Sequence, residues 1–119
     1  MQNRFKFRFW FKDTQEMIYS EKFNDVQTLG QWLFGDRKDV VKMQCTGLKD
    51  KNGKLIYEGD IVKIFHVSGT MQGKYFFDVV EWNDLRCRFD TENYGIINDD
   101  DVYEVIGNIY ENKELLNEI

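Results

Sequence analysis

This 119-residue sequence predicts a mainly β fold with short helices. Three observations predict it: basic and aromatic side chains alternate over residues 4–12, short runs rich in β-branched and aromatic residues follow, and turn-forming residues separate those runs. The expected form is a small SH3-like barrel, or an open barrel or sandwich of antiparallel strands. An N-terminal hairpin and a short C-terminal helix complete the expected architecture.

The first strand is predicted over residues 4–12, RFKFRFWFK. Side chains of a strand alternate between two faces, so one face is expected to be apolar and to lie in the core. That face carries Phe5, Phe7, Phe9 and Phe11. The opposite face is expected to be a basic row with one aromatic ring, formed by Arg4, Lys6, Arg8 and Trp10. A polar turn at 13–16 and the apolar run 17–19 then predict a hairpin.

Between residues 20 and 60 a helix, a strand and two turns, at Asn52-Gly53 and at Glu58-Gly59-Asp60, are expected. Apolar residues recur at helical spacing after Asn24 or Asp25, which predicts a helix near 25–34. VVKMQCTGL predicts a strand that ends at Gly47. The dipeptide Asn52-Gly53 predicts a tight type I′ turn, because both residues tolerate a positive φ.

The rest of the chain predicts strands joined by loops and closed by a helix. The strands are expected over 55–57, 61–67, 74–82, 85–89 and 102–110, with loops at 68–73 and 91–101 and a final helix over 113–118. Eight residues of the predicted strands are expected to be mainly buried: Phe7, Phe9, Ile61, Ile64, Val80, Trp82, Val105 and Ile106.

Length and composition indicate one globular domain over 1–119, with an N-terminal strand and helix portion (1–42) and a small-barrel portion (43–119). No apolar run approaches the roughly 20 residues of a membrane span, and charges interrupt the apolar residues at the N-terminus. We therefore expect a soluble cytoplasmic protein without a membrane partner, in which Cys45 and Cys87 are reduced.

Charge is distributed unevenly along the chain. Residues 1–55 carry 11 basic and 7 acidic side chains, whereas residues 56–119 carry 5 basic and 14 acidic ones. The two halves are expected to pair within one fold, although an acidic segment at 99–104 of a second subunit would also complement the basic row and produce a homo-oligomer. The candidate interaction surface is Arg4, Lys6, Arg8, Trp10, Asp99, Asp100 and Asp101.

Residues able to perform catalysis or bind metal are few. The single histidine, His66, lies 21 residues from each of the two cysteines, Cys45 and Cys87, and no close ligand pair typical of a zinc site occurs. Glu58 and Asp60 flank Gly59, where a turn role is expected for Asp60, its carboxylate accepting a backbone N–H. We expect neither an enzyme nor a bound cofactor or metal.

Three blocks of the sequence resemble the YopX family of phage and prophage proteins: KFRFWFKDTQEMIY at 6–19, MQCTGLKDKNGKLIYEGDIV at 43–62 and EVIGNIYENKELL at 104–116. The residues that carry this fingerprint are interpreted as structural: Gly47, Leu48, Asp50, Gly53, Ile56, Tyr57, Glu58, Gly59, Asp60, Gly107 and Asn108. The resemblance implies a β-rich, phage-encoded protein of the bacterial cytoplasm and implies no activity.

Together these observations predict a phage accessory protein that is a non-enzymatic protein-interaction module, with an unknown host or phage protein as partner. The alternative is a small barrel that binds nucleic acid through the basic first strand, because such barrels often stack bases on aromatic side chains. The net charge of −5 disfavours that alternative for a non-specific binder.

Overall fold

The computed structural model describes residues 5–22, 38–93, 95–97 and 101–118. These ranges contain nine strands: β1 (Phe7–Phe11), β2 (Glu16–Tyr19), β3 (Val40–Lys49), β4 (Leu55–Tyr57), β5 (Asp60–Phe65), β6 (Tyr75–Asn83), β7 (Arg88–Thr91), β8 (Gly95–Ile96) and β9 (Val102–Asn108). Two short 3₁₀ helices span Ser20–Lys22 and Lys113–Glu118. No helix in the described part of the chain is long and apolar enough to cross a membrane.

The strands form two antiparallel sheets, and one of the two is a half-barrel. The first sheet has the order β2-β1-β3-β4 and the second has the order β8-β7-β6-β5-β9. The prediction of a mainly β, antiparallel fold with an N-terminal hairpin is confirmed. The SH3-like form of the barrel stays a prediction. The division into portions 1–42 and 43–119 also stays a prediction, and β3 runs across that boundary.

Strand β1 is buried on both of its faces, since Arg8, Phe9 and Trp10 are all buried. It lies between β2 and β3, and the Trp10 ring stacks on Tyr110 at a centroid distance of 5.7 Å. The prediction that Phe5 belongs to the core is wrong, because this side chain precedes the paired strand and is 54% exposed. The alternating pattern therefore identifies the strand correctly, but it does not identify a solvent-exposed face.

The main apolar cluster joins the two sheets. Ile56 of β4 in the first sheet packs in it with residues of the second sheet and the segment after β8: Val62, Ile64, Val80, Ile97 and Tyr103. Of the residues expected to be buried, Phe9, Ile61, Ile64 and Val80 are buried and Phe7, Val105 and Ile106 are half-buried. Trp82 is 42% exposed, so its predicted burial is wrong. The pairing of β6 with β5 ends at Val79, and Trp82 packs instead on Phe89 of β7.

One predicted turn and the start of one predicted strand differ from the structure. Gly53 has φ +82°, but the described non-glycine residues with positive φ are Gln15 and Cys87, so the loop after β3 is not a type I′ turn. The Asp50 N–H donates to the Lys54 carbonyl at 2.7 Å, so the hairpin closes around residues 51–53, a loop one residue wider than a type I′ turn. Residues 84–87 form a turn that ends at Cys87, and the predicted return strand begins only at Arg88.

The two predicted helices have different outcomes. The closing helix over 113–118 is present as the 3₁₀ helix Lys113–Glu118. The helix expected near 25–34 lies outside the described residues.

Asp50 stabilises the wide loop and links it to β9. One carboxylate oxygen accepts the N–H groups of Asn52 and Lys54, both at 2.9 Å, and the other accepts that of Val105 at 2.9 Å. Burial by itself raises the pKa of this carboxyl, but the N–H donors of Val105, Lys54 and Asn52 outweigh burial and hold the pKa below its ordinary value. Asp50 therefore acts as an ionised acceptor that attaches the β3–β4 hairpin to the second sheet.

We predict that Asp50→Asn destabilises the protein by about 1–3 kcal/mol at neutral pH, because an amide nitrogen would face a backbone N–H that the carboxylate now accepts. The native pKa of Asp50 lies below the ordinary value of 3.8, so its stabilising effect is complete above that pH and is lost as the pH falls through the native pKa. Urea unfolding at pH 7 and pH 3 should show that the difference in unfolding free energy between wild type and variant is smaller at pH 3.

The matched control is Asp13→Asn, which makes the same chemical change in the exposed β1–β2 turn and should shift stability by less than about 0.5 kcal/mol. Equal stability of the Asp50→Asn variant and the wild type at pH 7 would contradict this role for Asp50.

Candidate functional site

The two sheets are joined by a tight turn at Glu58-Gly59, between β4 and β5. Gly59 has φ +84°, and a Cβ at this position would lie 3.1 Å from Sδ of Met43. Its N–H donates to the carbonyl of Val80 at 2.8 Å, and its carbonyl accepts the N–H of Ile109 at 2.9 Å. The positive φ and the close contacts explain why glycine occupies this position.

A buried ion pair crosses this junction. The Arg8 guanidinium on β1 lies with its Nη2 atom 2.8 Å from Oδ1 of Asp60 on β5, and both side chains are 2% exposed. The same nitrogen donates to the Glu58 carbonyl at 2.9 Å. The second oxygen of Asp60 accepts the Tyr57 N–H at 2.7 Å, which confirms the predicted turn role of Asp60. The sequence predicts Arg8 on an exposed face, so it does not predict the ion pair between Arg8 and Asp60.

Aromatic rings surround the Arg8 guanidinium. Its central carbon lies 4.9 Å from the ring centroid of Tyr57 and 6.0 Å from that of Tyr19, and these two rings meet edge to face at 5.5 Å. A second guanidinium nitrogen donates to the Tyr19 hydroxyl at 3.4 Å. Cation–π contacts of this kind offset part of the cost of removing a charge from water. Within the described part of the chain, Arg8 Nε makes no hydrogen bond.

Burial determines the protonation properties of the junction. It raises the pKa of Asp60, and the Arg8 charge and the Tyr57 N–H offset that effect in part. Burial likewise raises the pKa of Tyr57 and of Glu58, whose carboxylate accepts the Gln44 N–H at 2.8 Å. Arg8 Nη2 and the carboxylates of Asp60 and Glu58 thus have partners inside the fold, so the arrangement supports structure.

The residues of the predicted interaction surface lie in different environments. Arg8 and Trp10 are buried, so the expectation of an exposed face is wrong at these two positions. Lys6 is partly exposed and lies 3.9 Å from Glu21, while Asp101 lies 3.1 Å from Nδ1 of His66. The other members of the predicted surface, Arg4, Asp99 and Asp100, lie outside the described residues.

The cysteines and the histidine occupy separate environments. Cys45 is buried in β3, where its sulfur accepts the Gly47 N–H at 3.4 Å and burial raises the pKa of the thiol. Cys87 is exposed in the β6–β7 turn, and His66 packs edge to face on Phe76. Among the described residues, no group of three or more His, Cys, Asp or Glu side chains is arranged to hold a metal ion.

The end of β9 explains two further fingerprint residues, Gly107 and Asn108. The Asn108 side-chain oxygen accepts the N–H groups of Tyr110 and Glu111, at 3.0 and 2.8 Å, and so closes a turn. Asn112 in turn accepts the Asn108 N–H at 3.1 Å. A Cβ on Gly107 would lie 2.6 Å from Oδ1 of Asn112, so a side chain at Gly107 would displace Asn112.

A cleft, named here the inter-sheet cleft, opens beside the junction with a volume of about 520 Å³. Its lining is largely apolar and includes two aromatic residues, Trp82 and Tyr110, and three glutamates, Glu58, Glu81 and Glu92. The lining comes from segments distant in sequence: Val41, Lys42, Met43, Glu58, Gly59, Val79, Val80, Glu81, Trp82, Glu92, Ile109, Tyr110 and Leu116. Sequence reasoning missed this cleft because no local pattern marks it.

A second surface, named here the outer patch, lies on the outer face of the second sheet. Its apolar members are Phe65, Tyr75, Phe77 and Val102, which β-pairing brings side by side. Phe65, Tyr75 and Val102 are exposed. Lys63 lies over the Tyr75 ring at 4.3 Å, and Lys51 pairs with Glu104 at 3.5 Å, so charges of both signs border the apolar centre. The alternation of side chains between the two faces of β5 and β6 is the sequence pattern that could have predicted this patch.

The model of the YopX protein family matches residues 6–117. The chain belongs to the YopX family. The resemblance inferred from the three sequence blocks is therefore confirmed. Within this YopX domain, the middle block supplies Asp50 and the junction residues Tyr57, Glu58, Gly59 and Asp60.

Two solved structures resemble this YopX domain over nearly their whole length. The crystal structure of protein EF1440 from Enterococcus faecalis has 26% sequence identity and a TM-score of 0.61, covering 93% of this chain and 96% of that chain. The X-ray structure of protein yopX from Bacillus subtilis has 19% identity and a TM-score of 0.55, covering 94% and 98%. The second likeness concerns the fold alone. A search of curated proteins found no significant match.

We predict that Arg8→Met destabilises this YopX domain by about 3–5 kcal/mol at pH 7, because it leaves the Asp60 carboxylate buried without its cation. The pKa of Asp60 is already raised by burial above the ordinary 3.8, and loss of Arg8 raises it further. Protonation then stabilises the variant below pH 3.8, and this stabilisation is lost as the pH rises through the native pKa. The stability of the variant should therefore be closest to that of the wild type in acid.

Chemical denaturation of both proteins between pH 7 and pH 4 measures this difference. Lys6→Met, which removes a partly exposed cation from the residues preceding β1, is the control and should cost less than about 1 kcal/mol at every pH. An Arg8→Met penalty that is small at pH 7, or that grows in acid, would refute a buried ion pair at the junction.

Proposed function

We propose that this chain is a non-enzymatic protein-interaction module, a phage or prophage accessory protein that acts in the cytoplasm of a bacterial host. The observation that carries the proposal is the outer patch. Its centre is apolar and aromatic, and its border carries both positive and negative charges, which is the composition of protein–protein interfaces. Neighbouring exposed apolar side chains on a folded domain mark interaction surfaces more often than isolated ones do.

Tyr75 is the strongest candidate for an anchor residue in the outer patch. It is 54% exposed, its ring is flanked by Phe77 at 5.8 Å and by the Lys63 amine, and tyrosine is enriched among residues that dominate binding energy. A shallow groove of about 240 Å³ runs beside it, lined by Lys51, Lys63, Phe65, Val102 and Glu104. Such a groove accommodates apolar side chains of a partner protein.

The non-enzymatic part of the proposal is supported by the partners of the titratable groups. Asp60 pairs with Arg8 and His66 with Asp101. These side chains therefore already have partners inside the fold. The alternative of nucleic-acid binding through the basic first strand stays a prediction, and burial of Arg8 removes one cation from the row that it requires.

We predict that affinity capture from a bacterial host lysate retains a protein partner through the outer patch. Phe65→Ser combined with Tyr75→Ser should reduce the retained amount at least about tenfold, since truncating anchor residues costs roughly 2 kcal/mol or more. Circular dichroism checks that both forms are folded.

Leu85→Ser is the matched control, because Leu85 is 91% exposed in the β6–β7 turn and lies outside the patch. This variant should capture as much as wild type. Equal capture by the patch variant and the control, or eluates that contain nucleic acid and no specific protein, would argue against the proposal.

A further inference from the structure

We propose that the inter-sheet cleft is a binding site for the side chain of an arginine presented by a partner polypeptide. The assignment of a polypeptide as the carrier rests on the proposed role as an interaction module. The site itself is distinct from the outer patch, because the lining residues of the cleft and those of the patch do not overlap.

The size and position of the cleft fit a ligand site. Its volume of about 520 Å³ lies within the range of small-ligand pockets, roughly 300–1,000 Å³. It opens where β3 of the first sheet, β6 of the second and the C-terminal segment meet, and junctions between structural units are common places for such pockets. The lining includes Val41, Met43 and Val80, so the aliphatic stem of a long side chain finds apolar contacts there.

Two aromatic rings of the cleft are fixed by their neighbours. Trp82 packs edge to face on Phe89 at 4.9 Å, and Tyr110 stacks on the buried Trp10 at 5.7 Å. A planar guanidinium stacks on aromatic faces, and tryptophan is the best of the aromatic partners for a cation. Rings held in place in advance lose little conformational freedom when a ligand binds.

The charges of the cleft specify the sign of the ligand. The lining residues include three glutamates, Glu58, Glu81 and Glu92, and one lysine, Lys42. Burial raises the pKa of Glu81, and the nearby Glu92 charge raises it further, as expected where negative charges lie close together. This potential repels phosphate groups and attracts a cation.

Arginine fits this combination better than lysine does. Its guanidinium presents a planar fork of donors that pairs with a carboxylate while its face rests on an aromatic ring. A lysine ammonium is a strongly hydrated point charge without a flat face. Charge complementarity and the aromatic walls therefore point to the same occupant.

The test uses a synthetic heptapeptide that alternates glycine and arginine, with an alternating glycine–glutamate heptapeptide as the matched negative probe. Nuclear magnetic resonance follows the indole N–H signal of Trp82 during titration of the full-length chain. We expect the arginine peptide to shift this signal saturably and the glutamate peptide to leave it unchanged. Glu81→Gln should weaken binding roughly threefold to fivefold, as expected for the loss of one exposed ion pair.

Glu16→Gln is the control for net charge, because Glu16 is exposed on β2 and outside the lining of the cleft. Its affinity should stay within about twofold of wild type. A Trp82 signal that does not respond, equal weakening by both glutamine variants, or equal binding of the two peptides would overturn the inference. If capture through the outer patch succeeds while Trp82 does not respond, this inference fails and the proposed function stands; the converse outcome rejects the proposed surface and supports the cleft.

Discussion

The fold depends on one buried ion pair, Arg8 with Asp60, at the point where the two sheets meet. A charged pair inside a protein is costly unless its geometry is good and its remaining donors and acceptors are satisfied. Here Asp60 also accepts the Tyr57 N–H, and Arg8 also donates to the Glu58 carbonyl and lies against the Tyr57 ring. These contacts explain why the segment Tyr57-Glu58-Gly59-Asp60 packs against β1.

The same device, a buried polar side chain that accepts backbone N–H groups, recurs at other chain reversals. Asp78 is fully buried and accepts N–H groups of Val79 and Asn93, as Asp50 does for its hairpin and Asn108 for the turn after β9. Short strands bury little apolar area each, so hydrogen bonds from side chain to backbone determine where they end and turn. Two acidic residues in the second half of the chain, Asp60 and Asp78, have internal roles of this kind.

The sequence was sufficient for the class of fold, most strand positions, the Asp60 turn and the family. Period-2 alternation identifies β1, but it cannot reveal whether a second layer covers the apparent outer face. For this reason the sequence predicts Arg8 and Trp10 at the surface. The predicted burial of Trp82 is wrong for the opposite reason, because an aromatic residue in a strand is not always covered by a second layer. The inter-sheet cleft brings together six separate segments (41–43, 58–59, 79–82, 92, 109–110 and 116), and only the tertiary arrangement creates it.

The most direct test of the central claim is a double-mutant cycle between Arg8 and Asp60, measured by urea unfolding at pH 7 with Arg8→Met, Asp60→Asn and the two combined. If the pair holds the junction, the combined variant should be more stable than Arg8→Met alone, because removing the carboxylate charge relieves the unpaired buried anion. The two single losses should then exceed the combined loss by about 2 kcal/mol or more. Losses that add within about 0.5 kcal/mol would show that the two side chains act independently and would contradict the account.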